Sequence, residues 1–78
     1  MDNNNVWKNM CKALYPDGHL GKMNRYSWRY ACRQYGITIR QFDKEVELIV
    51  KSGFVKKEEN YPHTLYSLTP EGVNYIKM

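Results

Sequence analysis

Residues 36–55 read GITIRQFDKEVELIVKSGFV, and this stretch decides the fold. Past Gly36 and Thr38, the apolar residues Phe42, Val46, Ile49 and Val50 fall at i, i+4, i+7 and i+8. That spacing places them on one face of an α-helix. Arg40, Gln41, Asp43, Lys44, Glu47 and Lys51 fall on the other face. Thr38 offers the side-chain oxygen that an N-cap requires, so the helix is predicted over 39–52. Gly36 and Gly53 each follow a helical pattern, at the position where a left-handed backbone suits glycine.

On the N-terminal side, residues 25–35 predict a second helix, capped by Asn24. Its apolar face is Trp28, Ala31, Cys32 and Tyr35. His19 to Asn24 reads as a loop, and Tyr15-Pro16-Asp17-Gly18 as a turn that stops the preceding helix. That first helix is predicted over 6–15, with Val6, Met10, Ala13 and Leu14 as its stripe, widened by Trp7 and Cys11. Asp2 to Asn5 is polar, and one of its asparagines can cap the helix.

On the C-terminal side, residues 54–58 and 64–69 predict two strands joined by a loop over 59–63 that contains Pro62. Either face of the second strand can be the buried one. Thr69-Pro70-Glu71-Gly72 begins a short last helix, with Thr69 as N-cap, Pro70 at the first helical position and Glu71 at the positive end of the dipole. Val73, Tyr75, Ile76 and Met78 give it apolar surface. The predicted architecture is one α+β, mainly α domain over 1–78: three helices, a two-stranded hairpin and a short C-terminal helix.

A chain of 78 residues buries only about 60% of its unfolded surface, so partners are plausible sources of stability. Seven tyrosines and two tryptophans can build a core or an interface from few residues. No apolar run approaches the ~20 residues of a membrane span. The opening MDNNNVWKNM has no basic stretch followed by an apolar run, which argues against a secretory leader; a cytoplasmic protein is expected. Cys11 and Cys32 lie within apolar helical patterns and are read as reduced core thiols, with a disulfide between the first two helices as the alternative. His19 and His63 have no partners at metal-ligand spacing. No nucleophile cluster or glycine-rich phosphate loop is present, so neither catalysis nor a cofactor is expected.

The charge is uneven. Residues 1–40 carry seven Lys and Arg against two acids, leaving +5; residues 41–78 carry five lysines against six acids, leaving −1. A basic balance favours an anionic partner, nucleic acid first. Arg25, Arg29 and Arg33 recur every fourth residue opposite the core face of the second helix, and Lys22 precedes them. Such a stripe can lie across a phosphate backbone and give affinity without sequence information, or it can be a solvated face. Tyr26 and Tyr30 are expected to pack on the first helix, and Trp7 and Trp28 in the core.

The chain resembles a winged helix-turn-helix protein of the MarR/PadR type over residues 24–78. The resemblance rests on Tyr35-Gly36-Ile37-Thr38, on the stretch from Leu48 to Val55, and on Tyr66-Ser67-Leu68-Thr69-Pro70-Glu71-Gly72 one hairpin later. It implies that the helix over 39–52 enters the DNA major groove and that the hairpin approaches the adjacent backbone or minor groove. Carried over by position, Ile39, Arg40, Gln41, Asp43 and Lys44 would face the groove. Arginine pairs with guanine and glutamine with adenine, so Arg40 and Gln41, with Lys44, are the candidate base readers. Lys22, Arg25, Arg29, Arg33, Thr38, Lys56 and Lys57 are the candidate phosphate contacts. Three acids, Asp43, Glu45 and Glu47, depart from this picture and are expected to be solvated or paired with Lys44 and Lys51; Glu58 and Glu59 add negative charge to the wing. The implied function is sequence-specific double-stranded DNA binding by a small transcriptional regulator of prokaryotic, plasmid or phage origin, with a possible homodimer through the terminal helices. A protein-docking winged helix, favoured by the acids, and a replication or partition accessory factor are the alternatives.

Overall fold

The structure is a computed structural model that describes residues 3–18, 21–60 and 62–77. Four α-helices and three strands follow in the order α1 (Asn3–Ala13), β1 (Lys22–Asn24), α2 (Arg25–Arg33), α3 (Ile39–Lys51), β2 (Val55–Asn60), β3 (His63–Leu68) and α4 (Pro70–Lys77). The result is a small, mostly helical α+β domain with a three-stranded antiparallel sheet in the order β1-β3-β2.

β1 replaces part of the predicted loop. Three residues are too short for an alternating pattern to register; what makes them a strand is their partner. Lys22 pairs with Ser67, Met23 with Tyr66 and Asn24 with Leu65, so β3 becomes a central strand with a neighbour on each side. The hairpin strands also extend further than predicted, from Val55↔Leu68 to Asn60↔His63. Tyr66 and Leu68 turn inward, which settles the buried face of β3.

α1 starts earlier and stops earlier than predicted. Its asparagine-rich first turn, from Asn3, adds nothing to an apolar stripe and so is silent in the periodicity. At its end the Leu14 and Tyr15 amides bond back three residues to Cys11 and Lys12, tightening the chain before Pro16. The asparagines predicted to cap this helix, Asn3 to Asn5, instead lie within its first turn; His19, Leu20, Tyr61 and Met78, with the apolar surface predicted for it, lie outside the described residues.

Trp28 is the centre of the core. It is fully buried, its ring meets Phe42 edge-on at 4.9 Å and Tyr66 at 5.1 Å, and its indole N–H donates to the Met10 carbonyl at 2.9 Å. That carbonyl is one of the last four of α1, which lack partners within the helix. One side chain from α2 therefore fills the space among α1, α3 and the sheet and also satisfies the end of α1. Met10, Leu14, Val46, Ile49, Val55 and Leu68 belong to the same buried cluster. Cys11 and Cys32 are free thiols within it.

Two assignments of the core face need correction. Tyr35 is not on the inner face of α2: it lies in the turn beyond the helix and is 42% exposed. On α3 the half-buried Val50 is joined by Glu45, a carboxylate only 6% exposed, which accepts the Trp7 indole N–H at 2.8 Å. Trp7 itself is half-buried, packed edge-on against Phe54 at 6.1 Å, and Phe54 stacks on Tyr75 at 4.4 Å. This second aromatic group fastens α1 and α4 across the beginning of β2.

Candidate nucleic-acid interface

α2 and α3 are joined by a turn that both ends define chemically. The Gly36 amide bonds to the Arg33 carbonyl at 3.0 Å and the Ile37 amide to the Cys32 carbonyl at 3.2 Å. With Gly36 at φ +79°, this is a Schellman closure of α2, and the buried Ile37 plugs the turn into the core. Thr38 then opens α3 with a capping box. Its hydroxyl accepts the Gln41 amide at 3.1 Å, and the Gln41 side-chain oxygen accepts the Thr38 amide at 3.0 Å. The start of α3 is thus held rigidly against the end of α2.

Two candidate contacts consequently have structural occupations. Thr38 is the cap, and the Gln41 side-chain oxygen is committed to closing the box. Arg40 and Lys44 are exposed and, with Leu48 and Lys51, form a ridge along the outside of α3. Among the described residues Arg40, Lys44, Lys51 and Arg33 make no ion pair.

Arg25, Arg29, Lys22, Lys56 and Lys57 are paired, and not as expected. Asp43 and Glu47 do not pair with Lys44 and Lys51; they face α2. The Asp43 carboxylate lies 3.2 Å from Arg25 and 3.8 Å from Arg29, and Glu47 lies 3.8 Å from Arg25. Residues 43 and 47 sit one turn apart on the side of α3 nearest α2, whereas 44 and 51 point away from both helices. Glu45, the third acid, is in the core. Burial works against the Arg25 charge, but Asp43 and Tyr66 outweigh it and hold its pKa above the ordinary value.

The sheet repeats the pattern. Glu58 on β2 receives Lys22 of β1 at 3.1 Å on one oxygen and Lys56 at 3.3 Å on the other. Hydrogen bonds from Lys22 and then Lys56 hold its carboxyl below the usual carboxylate range. Lys57 lies 3.8 Å from Glu59. Of Lys22 and the arginine stripe, only Arg33 is therefore without an ion pair among the described residues.

Tyr26 and Tyr30 do not pack on α1. They are 75% and 67% exposed on the outer face of α2, with the Arg29 guanidinium 5.1 Å from the Tyr26 ring. A spacing of four residues places them on the same face as each other but does not say which face is inward; Trp28 and Cys32 take that place. With Ser27, Arg29, Arg33 and Ile39 they line an open groove of about 480 Å³. A second open groove follows the turn from Arg33 through Gly36, Ile37 and Thr38 to Arg40. Among the described residues, the large exposed hydrophobic side chains, Tyr26, Tyr30, Tyr35, Ile39 and Leu48, all belong to α2, the turn and α3. On α1 and α4 the described side chains Trp7, Val73, Tyr75 and Ile76 instead pack on the core.

No group of acidic, histidine or cysteine side chains among the described residues is placed to hold a metal ion, and no helix is long and apolar enough to cross a membrane. The sequence missed the bridging carboxylates Asp43 and Glu58 because each joins elements distant along the chain. Comparison with protein families, with curated proteins and with solved structures gave no match.

Proposed function

We propose that this chain is a winged-helix protein that binds double-stranded DNA, with the N-terminal half of α3 in the major groove and the β2–β3 hairpin as a wing beside it. The observation that carries the reading is the sorting of charge on α3. Asp43 and Glu47 are turned toward α2 and Glu45 toward the core, while Arg40, Lys44 and Lys51 stand on the outer ridge beside Arg33, without an ion pair among the described residues. A helix with three acids and three bases thus presents a basic edge in space. Arg40 suits a guanine edge, Lys44 a base or a phosphate, and Arg33 a phosphate. The role is that of a small transcriptional regulator acting inside a bacterial, plasmid-bearing or phage-infected cell, and a homodimer would let two copies of α3 address two half-sites.

A titration of random duplex DNA against salt tests the reading. Binding is expected at low salt and is expected to weaken steeply between about 50 and 200 mM, because each neutralised phosphate releases counterions. Absence of binding at low salt overturns it. Selection from a random DNA library then tests sequence specificity. The second reading, a protein-docking module, is favoured by the exposed tyrosines and by Ile39 and Leu48 on the same two helices. It predicts that a partner protein, and not duplex DNA, protects Tyr26 and Tyr30 from modification.

A further inference from the structure

We infer, resting on the DNA-binding reading, that Asp43 and Glu58 are internal stand-ins for DNA phosphates, each holding two cations that nucleic acid must win before it is bound. Asp43 holds Arg25 and Arg29 of α2 at 3.2 and 3.8 Å; Glu58 holds Lys22 and Lys56 at 3.1 and 3.3 Å. Both arrangements put one carboxylate between two positive groups, where Arg and Lys side chains could otherwise meet phosphate oxygens; Glu47 is a second, longer partner of Arg25 at 3.8 Å. Both carboxylates reach solvent: the Asp43 side chain is 44% exposed and the Glu58 side chain 23%. They can therefore be exchanged for a competing anion.

The consequence is selective. A cation occupied by its own carboxylate adds little to random-duplex affinity, because counterion release on the DNA is offset by breaking the internal pair. Only a duplex that also satisfies the outer ridge of α3 offsets that cost. Discrimination against the wrong sequence then comes from a repulsive element as well as an attractive one. The acids that argue against DNA binding in the sequence become the device that keeps random DNA from being held tightly.

The test is the salt dependence of binding to random duplex DNA by the full chain, its Asp43→Asn and Glu58→Gln variants, and Asp43→Asn in an Arg25→Ala/Arg29→Ala background. The cations Arg33, Arg40 and Lys44 set a wild-type slope of about −3 at roughly 0.9 per phosphate. Asp43→Asn frees Arg29 and leaves Arg25 only its longer pair with Glu47 at 3.8 Å. Its slope should steepen by about 1 to 2, and its affinity at 0.1 M salt should rise about eightfold for each further phosphate neutralised. In the arginine-less background only the relief of one negative charge remains, so the effect of Asp43→Asn should be several-fold smaller. Glu58→Gln should behave in the same sense through Lys22 and Lys56.

Wild-type binding with no tightening in either variant, or an equal Asp43→Asn effect in both backgrounds, overturns the inference and leaves DNA binding in place. A variant that merely loosens the packing of α2 on α3 would lose thermal stability without tightening DNA, which also overturns it. If neither the wild type nor the variants bind duplex DNA at about 20 mM salt, the DNA-binding reading falls and the inference falls with it.

Discussion

The Thr69 hydroxyl donates to the Gly53 carbonyl at 2.6 Å while accepting the Gly72 amide at 3.0 Å. Gly53, at φ +92°, is the residue that turns the end of α3 into β2; Gly72 lies in the first turn of α4. The adjoining Thr69 amide bonds to the Phe54 carbonyl at 3.1 Å. One residue thus ties the exit of α3 to the start of the last helix. Thr69→Ala should cost about 1–2 kcal/mol in urea unfolding, since it removes a cap and leaves a carbonyl unpaired, while Thr69→Ser should recover most of that loss.

Two glycines should fail for different reasons. A Cβ on Gly72 would fall against the Phe54 carbonyl oxygen and 2.6 Å from Leu68 Cδ1, so Gly72→Ala forces α4 away from the sheet. A loss of about 1–3 kcal/mol is expected. Gly36 has open space around it but sits at φ +79°. Gly36→Ala should cost about 1 kcal/mol, all of it backbone strain, and Gly36→Asn should cost less. Equal losses for Gly36→Ala and Gly36→Asn would contradict the left-handed geometry.

Trp28 should separate packing from hydrogen bonding. Trp28→Phe keeps an aromatic ring beside Phe42 and Tyr66 but deserts the Met10 carbonyl, and about 1–3 kcal/mol should be lost. Trp28→Ala should cost at least about 3 kcal/mol and, in a chain this small, should abolish cooperative unfolding.

How much of this was legible depends on range. Asn24, Thr38 and Thr69 cap helices where the sequence predicts, and Gly36 and Gly53 take positive φ, because each signal acts within a few residues. β1 was not legible, since its strand character comes from Ser67, Tyr66 and Leu65 far along the chain. The same limit hid the candidate interface. Periodicity placed Arg25, Arg29 and Asp43 on polar faces correctly, but only the crossing of α2 with α3 brings those faces together. Glu45 was legible only as a charged residue, not as the buried acceptor of the Trp7 indole.

The two thiols give a pH prediction. Burial pushes Cys11 from 9.0 up to about 12; burial, reinforced by Cys11, does the same to Cys32. The folded state therefore keeps protons that the unfolded chain releases above pH 9. Their stabilising contribution is complete below that pH and is lost as pH rises from about 9 toward 12. Native protein at about pH 8 should resist a thiol-directed disulfide reagent that modifies both residues at once in urea. Rapid native labelling would show that the core opens there.

The Gln41 capping box changes how base reading must be tested. Gln41→Ala would open the start of α3 and weaken DNA binding for a structural reason. Gln41→Glu keeps the acceptor for the Thr38 amide while altering the chemistry offered to a base, and should change sequence preference with little change in unfolding free energy. Arg40→Ala has no such complication; it should reduce the salt slope by about 1 and relax preference at one base position.

The pairing of Lys22–Asn24 with residues 65–67 also imposes an order on synthesis. β1 leaves the ribosome long before the residues it pairs with. The three-stranded sheet, and with it the seat of Trp28 against Tyr66, can close only after the second strand of the hairpin has been made. A nascent chain cut before residue 65 should hold its helices without the sheet and without Tyr66 and Leu68 in the core, be more open to protease than the full chain, and gain resistance only once residues 65–68 are added.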